Sequence, residues 1–253
     1  MIVLKTRAEI ELMREAGRVL AKARRLAAEQ VRPGVTTNEL DSIIHDAIIA
    51  EGASPSFLGY QGSGPSPFPK SSCISVNEEV VHGIAGPRKL QDGDIVGIDI
   101  GVYKGGFHAD SACTFPVGHV TDHVTTLLRV TREAMHMAID RARPGVRIGD
   151  LAALIQKHAE SHGLGVVRDL VGHGIGRSLH EEPSMPNFGR PGTGAKLKEG
   201  MTFCIEPMLN AGTWKVKTLA DGWTMVTADG SYSAHFEHTI AITRMGAEIL
   251  TVE

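Results

Sequence analysis

Three pairs of polar residues recur in the same order along the two halves of the 253-residue sequence: His82 and His173, Asp99 and Glu206, Asp110 and Glu237. If the halves face one another, the pairs converge into four carboxylates and two imidazoles. Four carboxylates a few ångströms apart repel one another and would take up protons at neutral pH. Two divalent cations cancel their charge, and a carboxylate can bridge two ions as an imidazole cannot. An oxygen-rich set with an imidazole suits Mn, Fe or Co, with Zn also open. Taken singly each residue is commonplace, since a strand Asp or Glu is usually solvated and a His usually a satisfied core or surface residue. The weight comes from their coincidence with an internal repeat.

That repeat is legible in the elements that must carry these side chains. Arg32-Pro33-Gly34-Val35, with Leu40, Ile43, Ile44 and Gly52, returns 111 positions later as Arg143-Pro144-Gly145-Val146, with Leu151, Leu154, Ile155 and Gly163. His82-Gly83-Ile84 is echoed by His173-Gly174-Ile175. The run from Lys89 to Asp99 is echoed by Lys196 to Glu206, and Phe107 to Asp110 more loosely by Ala234 to Glu237. Duplication accounts for four ordered blocks better than chance does. The first helix opens on a Thr6/Glu9 capping box, carries an apolar stripe of Ile10, Met13, Gly17, Leu20, Ala27 and Val31, and is stopped by Pro33-Gly34. A second runs from the Thr36/Glu39 box to Gly52. Residues 53–73, rich in Gly and Pro, read as a loop and a candidate binding segment. Strands at 94–103 and 107–117 flank Lys104-Gly105-Gly106, a hairpin signal. A two-residue turn at Lys104-Gly105 would set Asp99 directly opposite Asp110. Helices ahead of strands in each copy predict an α+β fold, with helices covering a curved, mostly antiparallel sheet. One domain across residues 1–253 is expected, its halves at about 6–117 and 121–253.

Composition narrows the field of functions. Hydrophobic residues at 42% and charged residues at 22% are those of a globular chain. A formal charge of −3 provides no basic field for nucleic acid or anionic lipid. Cys73, Cys113 and Cys204 form no C-x-x-C, so neither a disulfide framework nor a thiolate zinc site is indicated, and Cys113 and Cys204 read as small buried hydrophobes. The charged N-terminus has no leader-like apolar region and no apolar run reaches membrane-spanning length, so a cytoplasmic protein is expected. Neither G-x-S-x-G nor H-E-x-x-H occurs, and Gly172–Gly176 lacks the Lys-Ser/Thr of a phosphate loop. Met13, Met135 and Met137 read as helix packing.

The stretches GIDIGVYKGGFHADSACTF, VGHGIGRSLHEEP, CIEPMLNAG and DGWTMVTADGSYSAHFEHTI resemble the type I methionine aminopeptidases of metallopeptidase family M24. The likeness runs from about Thr6 to Glu253. It implies the pita-bread fold of two pseudo-symmetric halves. It implies that Asp99, Asp110, His173, Glu206 and Glu237 bind two divalent ions (Co, Mn, Fe or Zn), with Asp110 and Glu237 bridging. By the same likeness His82 contacts substrate without ligating metal, and so does His180. The implied chemistry is metal-assisted hydrolysis of the first peptide bond of a nascent chain. Glu206 would shuttle the proton, His82 and His180 would contact the scissile amide and carbonyl, and the free α-amine would lie near Asp99. Tyr60, Phe68, Cys73, His82, Leu179 and Trp223 are the implied methionine pocket, and the second substrate residue would be small.

The chain departs from many relatives by inserting Ser63 to Pro67, and by Phe68 and Leu179 where Tyr and Phe are common. It carries no Cys/His-rich extension, and the short bacterial form is the expected comparison. A monomer acting on nascent N-termini near the ribosome is expected, with no direct nucleic-acid site and no membrane attachment. A Xaa-Pro peptidase of the same fold, or a non-catalytic pita-bread binding protein, are the alternatives.

Overall fold

The computed structural model describes residues 1–62 and 66–252. Ser63, Gly64 and Pro65 of the expected insertion lie outside the described residues. The described chain contains four α-helices, a hairpin of two ten-residue strands and shorter antiparallel strands. Helices α1 (Arg7–Ala28) and α2 (Thr37–Ala50) begin on the two expected capping boxes, in which Thr6 and Thr36 accept from the backbone of Glu9 and Glu39 while each glutamate returns to the cap nitrogen. α1 ends three residues ahead of Val31, so that residue belongs to the connection and not to the helix stripe. Helices α3 (Asp122–Arg141) and α4 (Ile148–Ser161) cover the second half. Met13 and Met135 are buried on their helices, and Met137 is half-buried.

Each half has its own core. Leu20, Leu40 and Ile44 from α1 and α2 pack against Ile74, Ile98 and Ile100 of the first sheet. Leu127, Leu151 and Ile155 from α3 and α4 pack against Phe203 and Ile240 of the second. A third cluster, with Met13, Phe68, Cys73, Phe107, Leu179 and Cys204, draws on both halves beneath the cleft between them.

The repeat is visible hydrogen bond by hydrogen bond. Gly34 N–H donates to Leu90 O and Leu90 N–H to Val35 O; Gly145 N–H donates to Leu197 O and Leu197 N–H to Val146 O. Isolated bridges join Thr36 to Lys89 and Arg147 to Lys196. The glycine after each repeated histidine has the same cause. A Cβ on Gly83 would lie 2.2 Å from Ile74 O, and one on Gly174 2.3 Å from Glu182 O, so no side chain fits at either.

The first sheet is four-stranded: Ser54–Pro55, Ile95–Lys104 and Ser72–Val76 lie in that order, and Phe107–Pro116 pairs with Ile95–Lys104. Ser54–Pro55, Ser72 and Cys73 are therefore strand and not loop. The second sheet runs Ala247–Ile249, His238–Ile242, Thr202–Ile205, Gly172–Gly174, Glu181–Met185. Every strand pairing among the described residues is antiparallel.

One expectation about register is corrected. Lys104 pairs with Phe107, so the hairpin turn is Gly105-Gly106, both at positive φ, and not Lys104-Gly105. A two-residue turn of this hand needs φ > 0 at both central positions, which two glycines satisfy and Lys-Gly does not. Asp99 consequently faces Ala112, and Asp110 faces Gly101. The two aspartates share a face as diagonal neighbours instead of standing directly opposite.

The halves are joined by a short antiparallel ladder between Glu79–Val81 and Met225–Thr227 and, around the acid cluster, by individual hydrogen bonds. Thr239 Oγ1 accepts from Asp110 N–H at 2.9 Å and donates to Asp110 O at 2.8 Å. Thr114 Oγ1 makes the same reciprocal pair with the backbone of His235. Glu237 N–H donates to Ala112 O at 2.9 Å. These bonds hold Phe107–Pro116 against Ser233–His235 and His238–Ile242, and so bring Asp110 and Glu237 together.

Candidate metal centre

A cavity of about 420 Å³ opens between the halves, and all twelve residues implicated from the sequence line it: Tyr60, Phe68, Cys73, His82, Asp99, Asp110, His173, Leu179, His180, Glu206, Trp223 and Glu237. Ligand-capable atoms of Asp99, Asp110 and Glu237 lie within 4.8 Å of one another. His173 Nε2 is 3.6 Å from Glu206 Oε1 and 3.9 Å from Asp110 Oδ2. His173 Nδ1 lies 2.9 Å from Gly174 O, which can only accept. The proton is therefore on Nδ1, and Nε2 presents a lone pair to the carboxylates.

The electrostatics are those of a site short of positive charge. Burial first, then Glu237, Asp99 and Glu206, push the Asp110 carboxyl well above the usual range. Burial and neighbouring acids do the same to Glu206 and Glu237, and burial raises Asp99. Asp99 Oδ1, Asp110 Oδ1, Glu206 Oε1 and Glu237 Oε1 are buried without a hydrogen-bond partner among the described residues. Unpaired buried carboxylate oxygens are costly, and cations coordinated among them would satisfy both charge and lone pairs. The donor set thus fits divalent ions held by Asp99, Asp110, His173, Glu206 and Glu237.

The remaining residues form the walls. Tyr60 Oη is 2.7 Å from His180 Nδ1, and the His180 ring stands edge-on to His173 with centroids 4.3 Å apart. Burial holds the His180 pKa below its ordinary value, and burial followed by His235 and His180 holds that of His82 to about 4. Both imidazoles are neutral at pH 7. His82 sits at φ +59° and turns its ring toward Trp223. Phe68 stacks edge-on against Trp223 at 5.3 Å, and Trp223 Nε1 donates to Ser66 O. Phe68, Cys73 and Leu179 are buried and make the slot apolar. Burial keeps the Cys73 and Cys204 thiols protonated, so neither is a nucleophile.

The loop carrying Leu179 and His180 is braced from the N-terminal segment. Lys5 Nζ, almost fully buried, pairs with Glu181 Oε2, and Glu181 Oε1 accepts from Ser178 N–H. Arg177 pairs with Glu9 and lies over the Phe107 ring.

The sequence reading misses several lining residues, among them Phe57, Leu170, Met208, Met225 and above all His235. Buried beside Glu206 and Glu237, His235 carries a side-chain nitrogen without a partner among the described residues. The signal for it lies in strand alternation, because residues two apart share a face and His235 precedes Glu237 by two.

Comparison with known proteins identifies the family. The model of metallopeptidase family M24 matches residues 11–244. A methionine aminopeptidase of Clostridium perfringens is 52% identical, covering 100% of this chain and 99% of its own. Methionine aminopeptidase 1 of Bacillus subtilis is 50% identical over 99% of both. The crystal structure of the methionine aminopeptidase of Thermotoga maritima superposes with a TM-score of 0.96 at 46% identity, covering all of both chains. A converging acid cluster, an apolar slot beside it and end-to-end likeness lead to one conclusion: the chain belongs to metallopeptidase family M24, with divalent metal ions as its cofactor.

Proposed function

We propose that the cleft releases the N-terminal methionine of polypeptides whose second residue is small, with Asp99, Asp110, His173, Glu206 and Glu237 as metal ligands. Removal of N-terminal methionine is the activity named for relatives that match the chain from end to end, and the chain is a metal-dependent aminopeptidase. The observation that carries the residue assignment is the convergence of four orphaned carboxylate oxygens beside an apolar slot in one cavity. Bound divalent ions supply Lewis acidity and lower the pKa of water to give a nucleophile at neutral pH.

The protein's own groups do the rest. Phe68, Cys73, Leu179 and Trp223 receive the unbranched thioether side chain, which packs well against sulfur and aromatic edges. The α-amine is directed toward Asp99, and this end recognition makes the enzyme an exopeptidase. With the Tyr60 hydroxyl donating to His180 Nδ1, the neutral His180 ring presents Nε2–H to the carbonyl oxygen as negative charge develops there. His82 faces the scissile amide. Glu206 takes the proton of the attacking water and delivers it to the leaving nitrogen. The chain acts as one catalytic domain, residues 1–253, with halves at about 6–117 and 121–253 and the chemistry at their seam. Its setting is cytoplasmic, as a monomer meeting nascent chains near the ribosome; no helix among the described residues is long and apolar enough to cross a membrane.

The test is hydrolysis of Met-Ala-Ser against Met-Lys-Ser by metal-loaded protein. Methionine release from the first alone is expected. Turnover confined to Xaa-Pro peptides would overturn the substrate assignment.

A further inference from the structure

His235 lines the cleft and turns Nε2 toward the acids. The residue is 4% exposed, and its Nε2 has no hydrogen-bond partner among the described residues. Reciprocal bonds to Thr114 Oγ1 fix its backbone at 2.8 and 2.9 Å, and it pairs with Met208 across a ladder, so its direction is set by the sheet. Nε2 lies 3.6 Å from Glu206 Oε2 and 3.8 Å from Glu237 Oε2. Both separations exceed hydrogen-bonding distance. His173, on the other side of Glu206, shows the same pattern: its Nε2 is 3.6 Å from Glu206 Oε1. Glu206 is thus flanked by two imidazoles, one aimed at each oxygen.

We propose that His235 is a further metal ligand, whose Nε2 joins Glu206 and Glu237 on a shared divalent ion. Metal–ligand bonds of about 2.1 Å would place donors separated as these are at angles of about 120–130°, an accessible geometry. Ligand-capable atoms of Glu206, His235 and Glu237 all lie within 4.8 Å of one another. A nitrogen donor adds no charge, so the balance between four carboxylates and two divalent ions is kept. It does change the character of the site. A second imidazole favours Co²⁺ and Zn²⁺ over the harder Mn²⁺, which prefers oxygen.

The inference rests on the metal-ligand reading above, and its test separates the two. Metal-free wild type, His235→Gln and His173→Ala are titrated with Co²⁺, Zn²⁺ and Mn²⁺ by calorimetry and chelator competition, with folding checked by circular dichroism. His235→Gln should weaken Co²⁺ and Zn²⁺ binding by about tenfold or more and Mn²⁺ binding less, and should change the visible Co²⁺ absorption. An unchanged Co²⁺ affinity and spectrum in folded His235→Gln, while His173→Ala loses metal, would overturn the inference alone. Unchanged binding in both variants would overturn the whole ligand set with it. On wild-type protein loaded with Cu²⁺, pulsed EPR should count two coordinated imidazoles, whatever the fate of the variants. A count of one would refute the role of His235.

Discussion

The two halves share a frame and differ in what they hang on it. Both build the same Arg-Pro-Gly-Val turn, the same lead into a helix and the same glycine-assisted close approach after a histidine. The first half supplies the shorter acids, Asp99 and Asp110, from one hairpin. The second supplies the longer Glu206 and Glu237 from separate segments. The histidines diverge most. His173 lies in a ladder, its Nδ1 engaged by Gly174 O and its Nε2 toward the acids. His82, its counterpart, adopts φ +59° and turns toward Trp223. A difference in backbone conformation therefore separates the proposed ligand position from the proposed substrate-facing one, and equivalence by repeat does not imply equivalence of role.

The largest effect that could break this contrast comes from the second half. His173→Ala or Glu206→Gln should lower kcat/KM by about a thousandfold or more, with metal content falling in parallel and the far-UV spectrum unchanged. Retained activity in metal-depleted protein would contradict it. The matching change in the first half, His82→Asn, keeps a residue tolerant of positive φ. It should lower kcat by about tenfold to a hundredfold while metal content stays at the wild-type level. If metal is lost there too, the two histidines are not as different as their backbones suggest.

Away from the cleft, the pair Lys5–Glu181 has a buried lysine, with side-chain exposures of 3% and 15%. Lys5→Ala leaves Glu181 without its cation and should cost about 3 kcal/mol in urea unfolding. A loss near zero would show that the His180 loop needs no brace. The smallest contrast compares the N-termini of two helices, one from each half. Thr36 caps α2 through its hydroxyl, whereas the Arg147 side chain makes no such bond at α4. Thr36→Ala should cost about 1 kcal/mol, and Arg147→Ala clearly less. Equal losses would mean that both N-termini are stabilised alike.

Much of this is readable in the amino-acid sequence, and the failures have physical reasons. The capping boxes and the repeat are local or self-referential signals, so they place α1, α2 and the paired acids directly. The hairpin is equally plain, but its register turns on which two of Lys104-Gly105-Gly106 occupy the turn, and a slip by one glycine moves Asp99 from opposite Asp110 to diagonal. The two-residue strand Ser54–Pro55 is too short to show periodicity and exists only because Tyr103 and Val102 pair with it. His180 and the slot are reached through family likeness, since nothing in their spacing marks them. His235 is hidden by its own counterpart. His108 occupies the equivalent place in the first half, yet it bonds Ser56 Oγ instead of facing the acids.

The brace from Lys5 to Glu181 bears on when the enzyme becomes active. These residues are 176 positions apart, and the last carboxylate of the cluster is residue 237. Contacts so distant close late and contribute to slow, non-local assembly. A ribosome must release the chain beyond residue 237 before the acid cluster can assemble.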